Sequence, residues 1–419
     1  MYSTSDNIII KSLIGIFRVW KREFRVVFRD SGVLIFFVLL PLTYPILYTL
    51  IYNTEQAKDV PVVIVDDART PLTREFAQEL DATQNIRVYD YAANLQDAYK
   101  YLERKDCYGV IYFPSDFSQK VGRGEPSPVI MYSEMSLLLR YKGLLVSLTD
   151  VAQNMGAKVQ TANAASLGIN AASYTAAVDA PVKITAVPMG NTAMGIATSL
   201  LPGIFMMVIQ QSIILGIAML AGGGNERRLK NYGYDPMAIH TGVINTMLGK
   251  ALCYMTIYIV PTIFVLHYCP MIFAFPQNSI PINTAAMVLP YLMACIFFGM
   301  TIQVFVRERE SSFIVILVSS VIFVFLAGFS WPRFAMNQFW YLIGDLVPAT
   351  WGIDAFIHMK TNGANLEQVS HPYLMIWVVA LVYFVIAFFI IKYVQMPRYK
   401  RMTREHLFQK EQEAASAPQ

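Results

Sequence analysis

The sequence predicts an α-helical polytopic membrane protein with six transmembrane helices and an inserted extracytoplasmic α/β domain. Three observations predict it. Of 419 residues, 55% are apolar and only 15% charged, against roughly a quarter charged in soluble domains. Six apolar runs each approach the ~20 residues that cross the hydrocarbon as a helix. Between the first run and the second, residues 54–190 alternate strand-like and helix-like segments.

Residues 1–32 form the first element, an amphipathic helix. Leu13, Phe17, Trp20, Phe24 and Val27/Phe28 fall on one helical face, and Arg18, Arg22, Arg25 and Arg29 on another. A basic helix with an aromatic apolar stripe lies in the membrane interface. Residues 33–53 hold the first span, Val33 to Tyr52, uncharged and containing Pro41 and Pro45. The long charged stretch before it, with no small-residue cleavage site after it, argues against a cleavable signal peptide.

The insertion, residues 54–190, opens on Val60-Pro61-Val62-Val63-Ile64-Val65, an apolar β-branched strand ending in a turn at Asp66-Asp67. Adjacent strand-end carboxylates point to opposite sides, so this pair reads as a turn with a helix-cap contact. Helices are expected over Leu72–Leu80, with caps at Thr70 and Thr73, and over Ala92–Arg104. Strands are expected at Ile86–Tyr89, Tyr108–Phe113 and Val129–Tyr132, with a short helix near Phe117. The alternation implies a mixed or parallel sheet covered by helices. Residues 136–178 read as a long stalk helix passing into a linker.

Residues 191–394 hold spans two to six: Ala193–Ala221, Gly242–Tyr268, Ile282–Val306, Ser312–Trp331 and Tyr373–Tyr393. Residues 395–419 form a basic tail. Lys and Arg at the span ends set orientation. Lys11, Arg18, Lys21, Arg22, Arg25 and Arg29 precede span one. Arg227, Arg228 and Lys230 follow span two, Arg307 and Arg309 follow span four, and Lys392, Arg398, Lys400, Arg401, Arg404 and Lys410 follow span six. The opposite side offers only Arg333 and Lys360 between spans five and six. Both termini are therefore expected in the cytoplasm.

Several chemistries are missing. The segment Gly242 to Gly249-Lys250-Ala251 lacks the glycine spacing and hydroxyl of a phosphate-binding loop. No H-E-x-x-H, G-x-S-x-G or dinucleotide motif occurs, and His267 reads as an interfacial ring. Cys107, Cys253, Cys269 and Cys295 show no C-x-x-C or Cys/His clustering, so neither a zinc site nor a disulfide framework is expected. The spans hold almost no ionisable residues, unlike ion-coupled carriers. Energy is therefore expected from outside the membrane.

The order of parts, with Leu39-Leu40-Pro41-Leu42 in the first span, resembles an ABC-2 type transporter permease. The resemblance is to the subgroup with a large extracytoplasmic domain between the first and second transmembrane helices. Arg18-Val19-Trp20-Lys21-Arg22-Glu23-Phe24 is similar to the Arg-x-x-x-Arg-Glu pattern of the family's connecting helix, implying Arg18, Lys21, Arg22, Glu23 and Arg25 as its functional residues. Leu248-Gly249-Lys250 is similar to the opening of the family's third span. Ala327-Gly328-Phe329-Ser330-Trp331-Pro332 and Leu346-Val347-Pro348-Ala349-Thr350 resemble the motifs around the external helices, which singles out Gly328, Pro332, Pro348 and Thr350. The family's loop after span two resembles Glu-Arg-Glu-x-Gly-Thr. Here Glu226-Arg227 keeps the first pair and lacks the rest.

The resemblance implies a permease subunit, not itself an enzyme, in an ATP-driven exporter at the cell (inner) membrane. It implies export of an amphipathic, lipid, drug or glycan-like substrate. No cofactor is expected in this chain, since ATP and Mg²⁺ would be bound by a separate cytoplasmic ABC ATPase. Glu226, Arg227, Arg228 and Lys230 are the expected coupling-loop contact, with Arg18, Arg22 and Arg25 at anionic headgroups. A second permease subunit, identical or different, and membrane lipids are the other expected partners, with a periplasmic or cell-surface partner for the insertion. No nucleic-acid partner is expected. The rival readings are a membrane receptor, or a structural protein of the same fold without transport activity.

Overall fold

The computed structural model describes residues 3–52, 57–135, 138–166, 191, 195–232, 235, 237, 239, 241–275, 277–328, 330–401 and 403–405. The chain divides into two compact units. One joins Met1–Asn53 to Pro188–Gln419; the other is Thr54–Val187.

The first unit begins with helix α1 (Ser3–Arg29). Val19, Glu23 and Val27 are buried at four-residue spacing, while Leu13, Phe17 and Phe28 are exposed. The rings of Phe17, Trp20, Phe24 and Phe28 follow one another at 5.3, 5.5 and 4.5 Å, the ladder expected from i, i+3 and i+4 spacing. Asp30 separates α1 from α2. Its backbone is extended and its carboxylate accepts the Val33 N–H at 3.2 Å, the N-cap geometry that starts a new helix.

Helix α2 (Ser31–Tyr52) is the first candidate span. It contains a π-helical turn at Ile35–Leu39. Its buried residues are Val33, Phe37, Pro41, Pro45 and Thr49, every fourth position. The Thr49 hydroxyl donates to the Pro45 carbonyl at 2.7 Å, satisfying that oxygen locally. Gly216 makes the close fit possible, because a Cβ there would stand 1.7 Å from the Phe37 ring.

The second unit carries a four-stranded sheet in the order β2-β1-β3-β4, with β1 (Val60–Asp66), β2 (Ile86–Ala92), β3 (Gly109–Phe113) and β4 (Ile130–Ser133). Strand β1 runs parallel to both neighbours, and β4 is antiparallel to β3. Helices α3 (Pro71–Asp81), α4 (Leu95–Arg104), α5 (Phe117–Gly122) and α6 (Leu138–Ser166) complete it. Val62 and Ile64 pack with Phe76 and Leu80 of α3 and with Leu148 and Val151 of α6. Val63 and Val65 pack on the other face with Ala98 and Cys107. Burial on both faces explains why β1 reads as a continuous apolar run. Burial pushes the Cys107 thiol up to about 11, which suits a packing role.

The expected turn is present. Asp66 accepts from the Thr73 hydroxyl at 2.6 Å and the Arg69 N–H at 2.9 Å, while Asp67 accepts from the Tyr112 hydroxyl at 2.9 Å. Thr70 and Thr73 cap α3 reciprocally. A helix, α6, occupies the first part of the expected stalk segment, but Leu144, Leu148, Val151 and Met155 pack it against the sheet; residues 167–190 lie outside the described residues.

The first unit resumes with α7 (Ile196–Lys230), α8 (Val243–Ile272), α9 (Pro281–Phe305), α10 (Ser311–Leu326), α11 (Gln338–Asp345), α12 (Pro348–Asn362) and α13 (Ser370–Glu405). Further π turns lie at Phe264–Tyr268 and Ile391–Gln395. Among the described residues five helices, α2, α7, α8, α9 and α13, are long and apolar enough to cross a membrane. The sixth expected span, Ser312–Trp331, is shorter than its apolar run. Helix α10 has 16 residues, about 24 Å at 1.5 Å per residue. Gly328, at φ +88, follows its last cap residue in the left-handed conformation that ends helices.

Two other boundaries differ from expectation. Helix α7 runs nine residues beyond Ala221, so Glu226, Arg227, Arg228 and Lys230 lie on its last turns and not in a loop. These are good helix formers, and cations at a helix C-terminus oppose its dipole. Helix α13 extends to Glu405 through the first part of the expected tail, and residues 406–419 are outside the described residues. Finally, α12 is no peripheral helix. It packs against α7, α9 and α13, and Gly352 admits the Tyr291 ring where a Cβ would stand at 2.5 Å.

Candidate functional site

Helix α1 reaches the bundle through a glycine. A Cβ at Gly249 would meet the Ile16 carbonyl and Val19 at 2.7 Å, so only glycine lets α1 and α8 approach this closely. Ser12 then donates to Asn245 at 2.7 Å, and the Trp20 indole donates to Thr256 at 3.4 Å.

One helical turn along, that approach buries Glu23 to 2% exposure. Its carboxylate accepts from the Tyr254 hydroxyl at 2.6 Å and from Arg22 at 2.8 Å, with the Lys250 ammonium at 3.4 Å. Burial alone would push the Glu23 carboxyl up. The charges of Lys250 and Arg22, with the Tyr254 hydroxyl, outweigh it and hold the group below its ordinary range. Arg22 continues to Asp235 at 3.3 Å, and Asp235 accepts from Arg227 at 3.4 Å and the Met237 N–H at 3.0 Å. The signs alternate along Lys250, Glu23, Arg22, Asp235 and Arg227. One ionic chain thus ties α1 to the end of α7 and the start of α8.

A second knot adjoins it. Glu226 accepts the Arg309 N–H at 2.7 Å, Asn225 donates to the Val306 carbonyl at 2.9 Å, and Arg309 pairs with Asp30. Gly222 leaves room for this, since a Cβ there would stand 2.8 Å from the Arg309 backbone. Tyr399 of α13 donates to Asn225 at 2.5 Å, and its ring carries the Arg228 guanidinium at 4.1 Å. Between the two knots is a cavity of about 480 Å³, lined by Arg22, Glu23, Arg227, Asp235, Lys250 and Tyr399 among others.

The expected site residues therefore separate. Arg22, Glu23 and Arg227 join one chain, with Glu226 and Arg228 beside it. Arg18, Lys21, Arg25 and Lys230 are exposed. Arg22 differs from its expected headgroup role because both carboxylate partners lie within the protein. Glu226 likewise faces Arg309. Sequence reasoning missed Asp235, Tyr254 and Tyr399, and read Arg309 for orientation alone. Their only signal was an isolated acid in a basic stretch, as with Asp30, or a polar group beside an apolar run.

Gly328, Pro332, Pro348 and Thr350 lie apart, beyond the other end of α10. A Cβ at Gly328 would stand 2.5 Å from Arg333, which pairs with Asp345 and stacks on Tyr341 at 4.2 Å. Pro332 caps the short helical turn at Arg333–Ala335, and Pro348 opens α12. The Thr350 hydroxyl donates to the Gly344 carbonyl at 2.7 Å, and the Ala349 N–H to buried Gln210 at 2.7 Å. These residues shape an elbow between α10 and α12. Among the described residues no group of three or more His, Cys, Asp or Glu could hold a metal.

A separate cavity of about 500 Å³ lies between α2, α7 and α10. Tyr44, Tyr48, Gln211 and Ser320 give it polar groups on walls made by Leu40, Met207 and Phe325.

The family described as ABC-2 family transporter protein matches residues 31–389. The chain belongs to that family. No curated protein matches it. Membership makes the chain the membrane component of an ABC transporter, and implies an ABC ATPase subunit as its partner. In this permease the matched segment begins at Ser31, so α1 with Arg22 and Glu23 precedes it.

Proposed function

We propose that this permease exports an amphipathic, lipid, drug or glycan-like substrate from the cytoplasm or inner leaflet, driven by a cytoplasmic ATPase. The observation that supports this reading is the ionic chain from Lys250 to Arg227, which ties α1 to the ends of α7 and α8. In this reading both termini are cytoplasmic, as the Lys and Arg bias at the span ends supports. The insertion is extracytoplasmic and meets an envelope or cell-surface partner. The chain binds no cofactor itself, and Mg²⁺ and ATP sit in the ATPase.

The exposed cations Arg18, Lys21, Arg25 and Lys230 surround the chain's end of the bundle and meet the ATPase or anionic headgroups. Nucleotide-driven closure displaces α1 and the last turns of α7. Helix α7 is continuous over 35 residues, about 52 Å, so the push reaches Gln210 and the Ala349 N–H that it holds. The elbow and the cavity between α2, α7 and α10 then change shape together. That cavity, apolar with hydroxyl and amide groups, suits an amphipathic cargo. A second permease subunit, identical or different, closes it by covering the exposed apolar faces of α2 and α10.

The test is copurification with the ATPase, followed by ATP hydrolysis in lipid. Substrate-stimulated hydrolysis is expected to fall about tenfold, or 1.4 kcal/mol, in a variant with Arg227→Glu and Arg228→Glu. Unchanged coupling, or no copurifying ATPase, would overturn the reading.

A further inference from the structure

A third cavity, of about 320 Å³, lies between α8 and the first half of α9. Its walls are apolar, with Ile259, Ile263 and Leu266 on one side and Val288, Leu289 and Leu292 on the other. Ile259, Ile263 and Leu289 are about half exposed, so the cavity opens sideways along the spans. That is the direction from which an acyl chain would enter.

Its polar lining is unusual. Lys360, in the last turn of α12, lines the cavity and is only 6% exposed. Its ammonium donates to Gln277 at 2.9 Å, and no carboxylate among the described residues lies within ion-pair distance. Gln277 is itself held, donating to the His267 carbonyl at 3.0 Å. The Phe356 ring lies 5.8 Å from the ammonium, and among the described residues one hydrogen bond leaves two of its three donors without a hydrogen-bond partner. Burial pulls this ammonium down to about 8. Thr262 lines the same cavity, and its hydroxyl is buried without a hydrogen-bond partner among the described residues.

A buried cation with no counter-charge is costly, and a buried unpaired hydroxyl adds to the cost. The elbow's own cation, Arg333, shows the contrast, since it is paired with Asp345. An anionic headgroup supplies the counter-charge that this ammonium lacks, and an acyl chain suits the apolar walls. We infer that the cleft between α8 and α9 is a binding site for an anionic lipid, with its headgroup on Lys360 and an acyl chain along the apolar walls. This site is separate from the proposed cargo cavity between α2, α7 and α10, and from the ionic chain. It does not depend on the direction of transport.

The test uses the full chain with its ATPase in nanodiscs. Retention of phosphatidylglycerol through delipidation is read by native mass spectrometry, with phosphatidylcholine and inorganic phosphate as separate arms. The expected result is one tightly held phosphatidylglycerol per chain, at least tenfold preferred over phosphatidylcholine and not displaced by phosphate. Lys360→Gln abolishes the preference, Lys360→Arg retains it, and Ile263→Trp lowers occupancy by filling the cleft. Equal retention of phosphatidylcholine, or undiminished phosphatidylglycerol in both Lys360→Gln and Ile263→Trp, would sink the inference. Displacement by phosphate alone would instead mark a soluble-anion site and overturn the lipid assignment. If Lys360→Gln does not fold, the Ile263→Trp and phosphatidylcholine arms still decide.

Discussion

Glu23 is the residue on which the α1 contact turns. Removing one partner of a buried ion pair leaves the others uncompensated, so Glu23→Ala is expected to destabilise the permease by about 3–5 kcal/mol. Adding Lys250→Met should recover part of that loss, since an apolar replacement of both partners is tolerated better than a half-broken pair. Acid should imitate the single change. The carboxyl sits below its ordinary 4.5, so Glu23 contributes stability above that value and loses it as pH falls through the depressed one. The thermal midpoint in detergent should therefore drop more steeply below about pH 4.5 in the natural protein than in Glu23→Gln; parallel curves would refute the assignment. Part of this was legible. Arg22-Glu23 and Glu226-Arg227 stand out as mixed charges beside apolar runs. Asp235 did not, because it meets Arg22 across 213 residues, and no local pattern encodes such a distance.

At the scale of elements, strand β1 and the capped helix α3 were readable because each satisfies a local rule: a β-branched run buried on both faces, and Thr70 with Thr73 three residues on. The ends of α7 and α10 were not. Apolarity marks where lipid stops, while hydrogen bonding and a glycine at positive φ decide where a helix stops. The π turns were also invisible, and the one in α2 has a measurable effect. Val33 and Pro41 are eight residues apart, which in a regular helix would rotate them about 80° from one another. A π turn takes up one extra residue, which brings Val33 and Pro41 onto one face; Pro41 and Thr49, eight apart in regular helix, are buried on a wider arc. Deleting Val38 should therefore leave the rest of α2 in place, whereas deleting Tyr44 should rotate the C-terminal part of α2 by about 100°. Thr49 lies 3.8 Å from the Cys269 thiol. In a Thr49→Cys background, a disulfide to Cys269 should form after the Val38 deletion and fail after the Tyr44 deletion. Equal cross-linking in both would remove the π turn from the explanation.

At the scale of the whole molecule, the two compact units have separate hydrophobic clusters. The insertion should fold without the spans. Residues 54–187 expressed alone are expected to be soluble and to unfold in urea in one cooperative transition of about 5–15 kcal/mol. A broad, non-cooperative loss of circular dichroism would show that the sheet depends on the spans. The separation of units was legible from the change in composition at residue 54, and a mixed or parallel sheet from the alternation of strands and helices, but the order β2-β1-β3-β4 was not. The convergence of α1, α7, α8 and α13 on one site was not, since it arises only after the insertion has been looped out. That looping has a consequence in time. Tyr254 lies 231 residues beyond Glu23, and a ribosome adds about 5–20 residues each second. For roughly 12–46 seconds, then, a growing chain carries an acid whose hydroxyl partner has not yet been made. During that interval the Glu23 carboxylate has Arg22 beside it, and an amphipathic helix is able to wait at the headgroups.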